Sequence, residues 1–279
     1  MEKVLKRMHP AGLLAYFLAG FLVVIWSRHP WITAIQTQVL LGVYLYHERS
    51  INKILPFLFL AALVAVTNPI FVQRGVTVLF IIGTMRITLE SLLYGVHYGF
   101  LLMNVVLLCT IMNRYFQSEH WVYLTGSAFP KLGMTISMVM RLLPKYRKQG
   151  KLIMETQSAI RKDSLLVRLL KTFAIETSWA FETSMDQVDS MAARGYGIKK
   201  KRTHFHLFCF RKRDAVCLVE LVIVFLVNLY GWTKYYSRFF FYPMILWKPM
   251  RLKDIFFVGM MALQLLLPVF WKEAADVSD

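Results

Sequence analysis

AVCLVELVIVFLVNLYGW, residues 215–232, decides the class of this protein. Its one charge is Glu220, and as a helix it covers nearly the roughly 30 Å of hydrocarbon in a bilayer. The stretch just before it, KRTHFHLFCFRKRD at 201–214, is strongly basic. Lys and Arg are retained on the cytoplasmic side of a span, so this helix reads as starting at the cytoplasm and running outward. Composition agrees with a membrane protein: 57% of residues are hydrophobic, 15% are aromatic and the net charge is +17. A soluble domain averages about 45–50% apolar residues. Nucleic acid is the other usual partner of so basic a chain. It is set aside because the positive charge lies between apolar spans.

Further apolar runs lie on both sides. Upstream are 12–26, 31–46, 54–67, 76–96 and 97–112, and downstream is 255–271. The run VTVLFIIGTMRITLESLLYGV at 76–96 carries Arg86 and Glu90, spaced i, i+4 as a pair on one helix face. Charge in lipid is costly, so this run is expected to be shielded, re-entrant or interfacial. The fold expected is all-α and polytopic, with about five to seven membrane helices by the length criterion. Three regions follow: N-terminal membrane helices at 1–128, cytoplasmic helices at 129–213 and C-terminal membrane helices at 214–279. No cleavable signal peptide is expected, because the first apolar run lacks a small-x-small cleavage site. Cys109, Cys209 and Cys217 are not spaced for zinc or for a disulfide framework.

Between Arg141 and Arg213 the character changes, with 17 Lys and Arg against six Asp and Glu and no run able to span. Leu166, Leu170, Phe173, Ala180, Ser184, Val188 and Met191 recur on one face, with Lys171, Glu176, Thr183 and Asp186 mostly off it. This is the pattern of an amphipathic helix. Asp163 or Ser164 is expected to cap its start, and Gly195 or Gly197 to supply the left-handed residue at its end. Before it, Pro130 suits a first helical turn, and Pro144 is expected to kink or divide the stretch. Each of the two cytoplasmic helices ends near an arginine, Arg161 and Arg194. A helix of this length is a rod of about 45 Å that can carry force to its tip. Arginine presents a fixed donor fork for a partner's carboxylates and carbonyls, and it complements the negative end of the helix dipole.

SMAARGYG at 190–197 is similar to the Ala-Arg-Gly motif of the transmembrane T component of energy-coupling factor (ECF) transporters. These are ABC-type importers of vitamins and transition-metal ions. TNPIFVQRGVTVLF and ITLESLLYGV, between Thr67 and Val96, resemble that family's third and fourth membrane segments. LTGSAFPKLGMTISMVMRLLPKYRKQ at 124–149 resembles its first coupling helix, with a turn at Arg141 to Pro144, and SWAFETSMDQVDSMAARGYG at 178–197 its last. The resemblance implies a non-catalytic subunit in a bacterial cell membrane that passes ATP-driven motion to a substrate-binding (S) subunit. It implies as partners two ABC-type ATPase subunits, the S subunit and the bilayer. The residues expected to dock into the ATPases are Ala193-Arg194-Gly195, which match the motif, and Ile160-Arg161-Lys162, which lack its small flanks. Met134, Met138, Met140, Met154, Met185 and Met191 are expected to repack against more than one S subunit.

No phosphate-cradling G-x-x-x-x-G-K-[ST] loop occurs, so no cofactor is expected in this chain and ATP must be bound by a partner. His204 and His206 lack further ligands for a metal, and Lys199 to Arg202 suits anionic headgroups. Two other readings are open. One is a membrane enzyme acting on lipid or isoprenoid substrates, which would have to gather Glu48, Glu90 and Glu220. The other is a membrane scaffold without transport.

Overall fold

The computed structural model describes residues 9–48, 51–72, 75–82, 85–160, 164–196, 208, 210–234, 239–242, 245 and 252–276. Among them the fold is helical apart from one small hairpin. The helices are α1 (Pro10–Ile25), α2 (Pro30–Glu48), α3 (Leu55–Phe71), α4 (Leu89–Tyr115), α5 (Ser118–Ala128), α6 (Pro130–Ile160), α7 (Leu165–Ala193), α8 (Lys212–Lys234) and α9 (Leu252–Asp276). A single 3-10 turn, Ile51–Ile54, precedes α3, and the hairpin is β1 (Val78–Ile82) with β2 (Met85–Thr88). The chain divides into two compact units, one of residues 1–117 with 208–279 and one of residues 118–207.

The first unit holds the helices able to cross a membrane. Helices α4 and α8 are each long and apolar enough to cross a bilayer, and 10–25, 55–71 and 254–268 form shorter apolar helices. The span read at 215–232 is α8. Its start is fixed by Asp214, which is buried and accepts from the Arg211 and His9 backbone amides at 3.0 and 3.4 Å. An acid three residues into a helix that reaches back to the capping amide is half of a capping box. Here it also ties the start of α1 to the start of α8. At their other ends Trp26 and Trp232 stack at 4.9 Å, and Trp232 Nε1 donates to the Trp26 carbonyl at 2.9 Å. Helices α1 and α8 therefore run in the same direction.

Small residues let α3 and α4 approach closely. Gly95 and Gly99 on α4 form a GxxxG face against Ala61 and Ala65 on α3, and a Cβ on Gly99 would lie 2.5 Å from the Ala61 carbonyl oxygen. Such faces bring membrane helices to backbone contact, where packing rather than the hydrophobic effect holds them. Polar side chains tie the remaining helices. Thr33 on α2 bonds His97 on α4 at 2.9 Å, Asn104 donates to the Thr33 carbonyl, and Asn228 on α8 donates to Gln264 on α9 at 2.7 Å. Val23, Ile32, Phe257, Val258 and Met261 pack between them as an apolar core.

The run at 76–96 is not one helix. Strands 78–82 and 85–88 pair as an antiparallel hairpin, and the helix begins at Leu89 and continues to Tyr115, absorbing the separate span expected at 97–112. Val, Thr, Ile and Phe crowd 76–88, and these residues favour strands. Thr88 caps the helix by accepting from the Ser91 amide at 3.3 Å. Arg86 and Glu90 accordingly do not share a helix face. Arg86 is in β2, and Glu90 accepts from the Thr77 amide at 3.2 and 3.3 Å.

Candidate functional site

Unit 118–207 consists of α5, α6 and α7. Helices α5 and α6 are joined at Phe129 and approach through Gly126 and Gly133, so that a Cβ on Gly133 would meet the backbone of Gly126. Helix α6 then runs 31 residues without interruption through Pro144. The turn expected at Arg141 to Pro144 is absent, and both residues are exposed on the side of a continuous helix. Proline there leaves the Met140 carbonyl without its helical donor. Met140 and Pro144 are both exposed, so water can take that carbonyl and the break is not forced.

Helix α7 returns antiparallel along α6. Thr172 Oγ1 meets Gln157 Oε1 at 3.5 Å, the Glu176 carboxylate closes over Gly150, Trp179 packs edge-on against Tyr146, and Lys145 lies 5.0 Å from the Trp179 ring. The residues that α7 presents to α6 are thus 172, 176 and 179, the polar and aromatic side. At 3.6 residues per turn, the stripe of Leu166, Leu170, Phe173, Ala180, Ser184, Val188 and Met191 is centred roughly 110° further round. Leu166, Leu170, Phe173 and Val188 are all largely exposed, as is Met185 beside them. An open groove of about 490 Å³ lined by Tyr146, Phe173, Glu176, Ala180, Phe181 and Ser184 runs along its edge. The expected amphipathic helix is present, but its apolar face is turned away from its own neighbour. The Ser164 position is the cap, although its side chain makes no capping hydrogen bond.

The end of α7 is built with more care than its start. Gly195 has φ +79°, in the left-handed region open to glycine. The Gly195 amide donates to the Ala192 carbonyl at 2.9 Å and the Tyr196 amide to the Met191 carbonyl at 3.0 Å. That pair of bonds is a Schellman motif, with Arg194 at the C-cap. The motif ties the backbone on both sides of Arg194, whose side chain is exposed. The guanidinium sits at the negative pole of a 29-residue helix with Ala193 and Gly195 as small neighbours.

Ile160 ends α6 and is the most exposed apolar side chain of that helix. Because α6 and α7 are antiparallel, Ile160 sits at the start of α7, about 45 Å from Arg194 along it. Ile160 and Arg194 therefore lie at separate tips and not in one site. Arg161 and Lys162 lie outside the described residues, as do Asp163, Gly197, Lys199 to Arg202, His204, His206 and Cys209. Of the methionines expected to face partners, Met140 and Met185 are exposed and Met134, Met138, Met154 and Met191 are half-buried.

Three features escaped the reading of the sequence. Asp214 closes the strongly basic stretch 201–214, yet it is a buried helix cap. The GxxxG face at Gly95 and Gly99 was visible as a spacing and was passed over. The orientation of the α7 stripe away from α6 depends on which side of each helix carries Trp179 and Tyr146, and periodicity is silent on that.

No protein-family model matches the chain. The chain is 23% identical over 258 residues to the energy-coupling factor transporter transmembrane protein EcfT of Lactococcus lactis subsp. cremoris (strain MG1363), covering 84% of this chain and 95% of that protein.

Proposed function

We propose that this EcfT-like membrane chain is the coupling subunit of an ECF-type ABC importer, passing the motion of two ATPase subunits to a membrane-embedded substrate-binding subunit. The similarity runs over most of both chains. The observation that carries the reading is the tip at Ala193-Arg194-Gly195. A permanently charged fork is held by a glycine-dependent turn at the end of a long helix, between residues too small to obstruct a closing groove.

In this reading the chain is multi-pass in the bacterial cell membrane. Helices α1 and α8 leave the cytoplasmic side together, α4 returns to it, and unit 118–207 with its basic residues remains there. Closure of the ATPases on ATP displaces the Arg194 tip and, through α6, the tip at Ile160-Arg161-Lys162. Arg141 and Pro144, exposed midway along α6, move with the rod. The uncovered stripe from Leu166 to Val188 is the surface on which an S subunit packs, and the flexible side chains of Met140 and Met185 suit contact with more than one such partner. The chain supplies no nucleotide-binding loop, so the ATPases bind ATP and this subunit is non-catalytic. Of the acids weighed for a membrane enzyme, Glu90 is committed to the Thr77 amide.

Co-expression with the two ATPases tests the reading. The wild type is expected to co-purify with them, and Arg194→Glu to lose most of the ATPase while remaining folded in the membrane. An Arg194→Glu complex recovered in full, with uptake still coupled to hydrolysis, would sink it.

A further inference from the structure

The hairpin between α3 and α4 is not used by the coupling proposed above, and its chemistry is unusual. Val76, Val78, Leu79, Phe80 and Ile81 are all exposed, Phe80 by 69% and Ile81 by 67%. In the strand register Phe80 pairs with Ile87 and Ile81 with Arg86. Directly opposed residues share a face and successive ones alternate, so both faces of the hairpin are apolar and both are open. A water-facing hairpin hides one face, and an isolated two-stranded hairpin is marginal in water.

The base of this hairpin, in contrast, is fixed. The Thr77 amide donates to Glu90 in the first turn of α4, and the Leu89 amide donates to the Thr77 carbonyl at 3.0 Å. Gly75, at φ +147°, leaves room for the Glu90 carboxylate and Thr88, where a Cβ would lie 2.5 Å from Glu90 Oε2. Strand β2 also packs against α3 and α4. The hairpin therefore projects from the N-terminal end of a membrane-crossing helix in a set direction. On the helices either side, Phe59, Val66 and Phe71 on α3 and Leu92 and Leu93 on α4 are exposed apolar residues as well.

We propose that the paired strands 78–82 and 85–88 are a membrane-inserted anchor: they lie in the leaflet at the N-terminal end of α4, with lipid covering both of their faces. The open strand edges set the depth. Unpaired backbone groups are excluded from the hydrocarbon core, so the hairpin lies at the headgroup–acyl boundary, where water still reaches them. Arg86, exposed on the same face as Ile81, meets the headgroup phosphates at that depth. The anchor holds the start of α4 at a constant depth while the other end of the helix leads into residues 118–207. It depends on α3 and α4 crossing a bilayer and not on the coupling mechanism.

A nitroxide at Phe80→Cys, in the full chain with Cys109, Cys209 and Cys217 replaced by alanine, tests this in phosphatidylethanolamine–phosphatidylglycerol vesicles. Collisions with oxygen and with a water-soluble nickel complex are compared with labels at Leu63→Cys on α3 and Glu182→Cys on α7. Oxygen collisions are expected to exceed nickel collisions at position 80. The oxygen-to-nickel ratio should fall between those of 63 and 182, and Ile81→Cys should give the same ordering. Nickel in excess at both positions places the hairpin in water, and low rates for both reagents place it under protein. Either result overturns the proposal.

Discussion

Gly195 is where sequence, backbone and the proposed coupling meet, and substituting it separates them. Its φ of +79° costs an L-residue roughly 1–2 kcal/mol. In Gly195→Ala the chain avoids that strain by fraying the last turn, which releases the Gly195–Ala192 and Tyr196–Met191 bonds and frees Arg194 to swing. Docking into an ATPase groove must then re-form the turn. The strain appears in the binding constant as a loss of about 5- to 30-fold, at 1.4 kcal/mol per factor of ten. Asparagine tolerates the left-handed region, so Gly195→Asn should recover most of the affinity although it is the larger residue. The assay is titration of the purified chain in detergent with the ATPase pair, read as a dissociation constant. The order expected is Gly tightest, then Asn, then Ala. If Ala binds as tightly as Gly, or Asn is as weak as Ala, the backbone argument fails even if Arg194 itself matters.

The glycine approaches give two further tests. Gly133→Ala forces a Cβ into the backbone of Gly126 and should destabilise unit 118–207 by about 1–3 kcal/mol. The reciprocal Gly126→Ala meets Gly133 only at 3.7 Å, and the gain in helix propensity should leave it neutral or up to about 1 kcal/mol more stable. Thermal unfolding in detergent distinguishes the two, and equal effects would contradict the asymmetry. Gly99→Ala should push α4 off Ala61 and lower the melting temperature, while Ala at the unconfined Gly259 should not.

The class of the protein was legible because 215–232 is long, almost uncharged and bordered by arginine and lysine, a pattern with few physical alternatives. The close of α7 was legible for a similar reason. A glycine after a long periodic helix supplies the positive φ that other residues resist, and Gly195 does so. The hairpin was missed because hydropathy over 76–96 does not distinguish a span from a strand pair. The β-branched residues and the glycine at 83 were the local signal, and the i, i+4 spacing of Arg86 and Glu90 drew attention to a helix instead. Pro144 misled in the opposite direction. It removes one donor, but whether a helix breaks there depends on whether water reaches the orphaned carbonyl, and that is a property of exposure. Of the tip at 160–162 only Ile160 is among the described residues, exposed at the end of α6.

The central claim is that the end of α7 touches an ATPase. Tyr196 is about half exposed and lies two residues beyond Arg194, so p-benzoylphenylalanine can replace it with little change in shape. Irradiation of the assembled complex in membranes should give an adduct between this chain and an ATPase subunit from position 196. The same probe at Tyr98, within membrane helix α4, should give none. An ATPase adduct absent from 196, or equally strong from 98, would contradict the account.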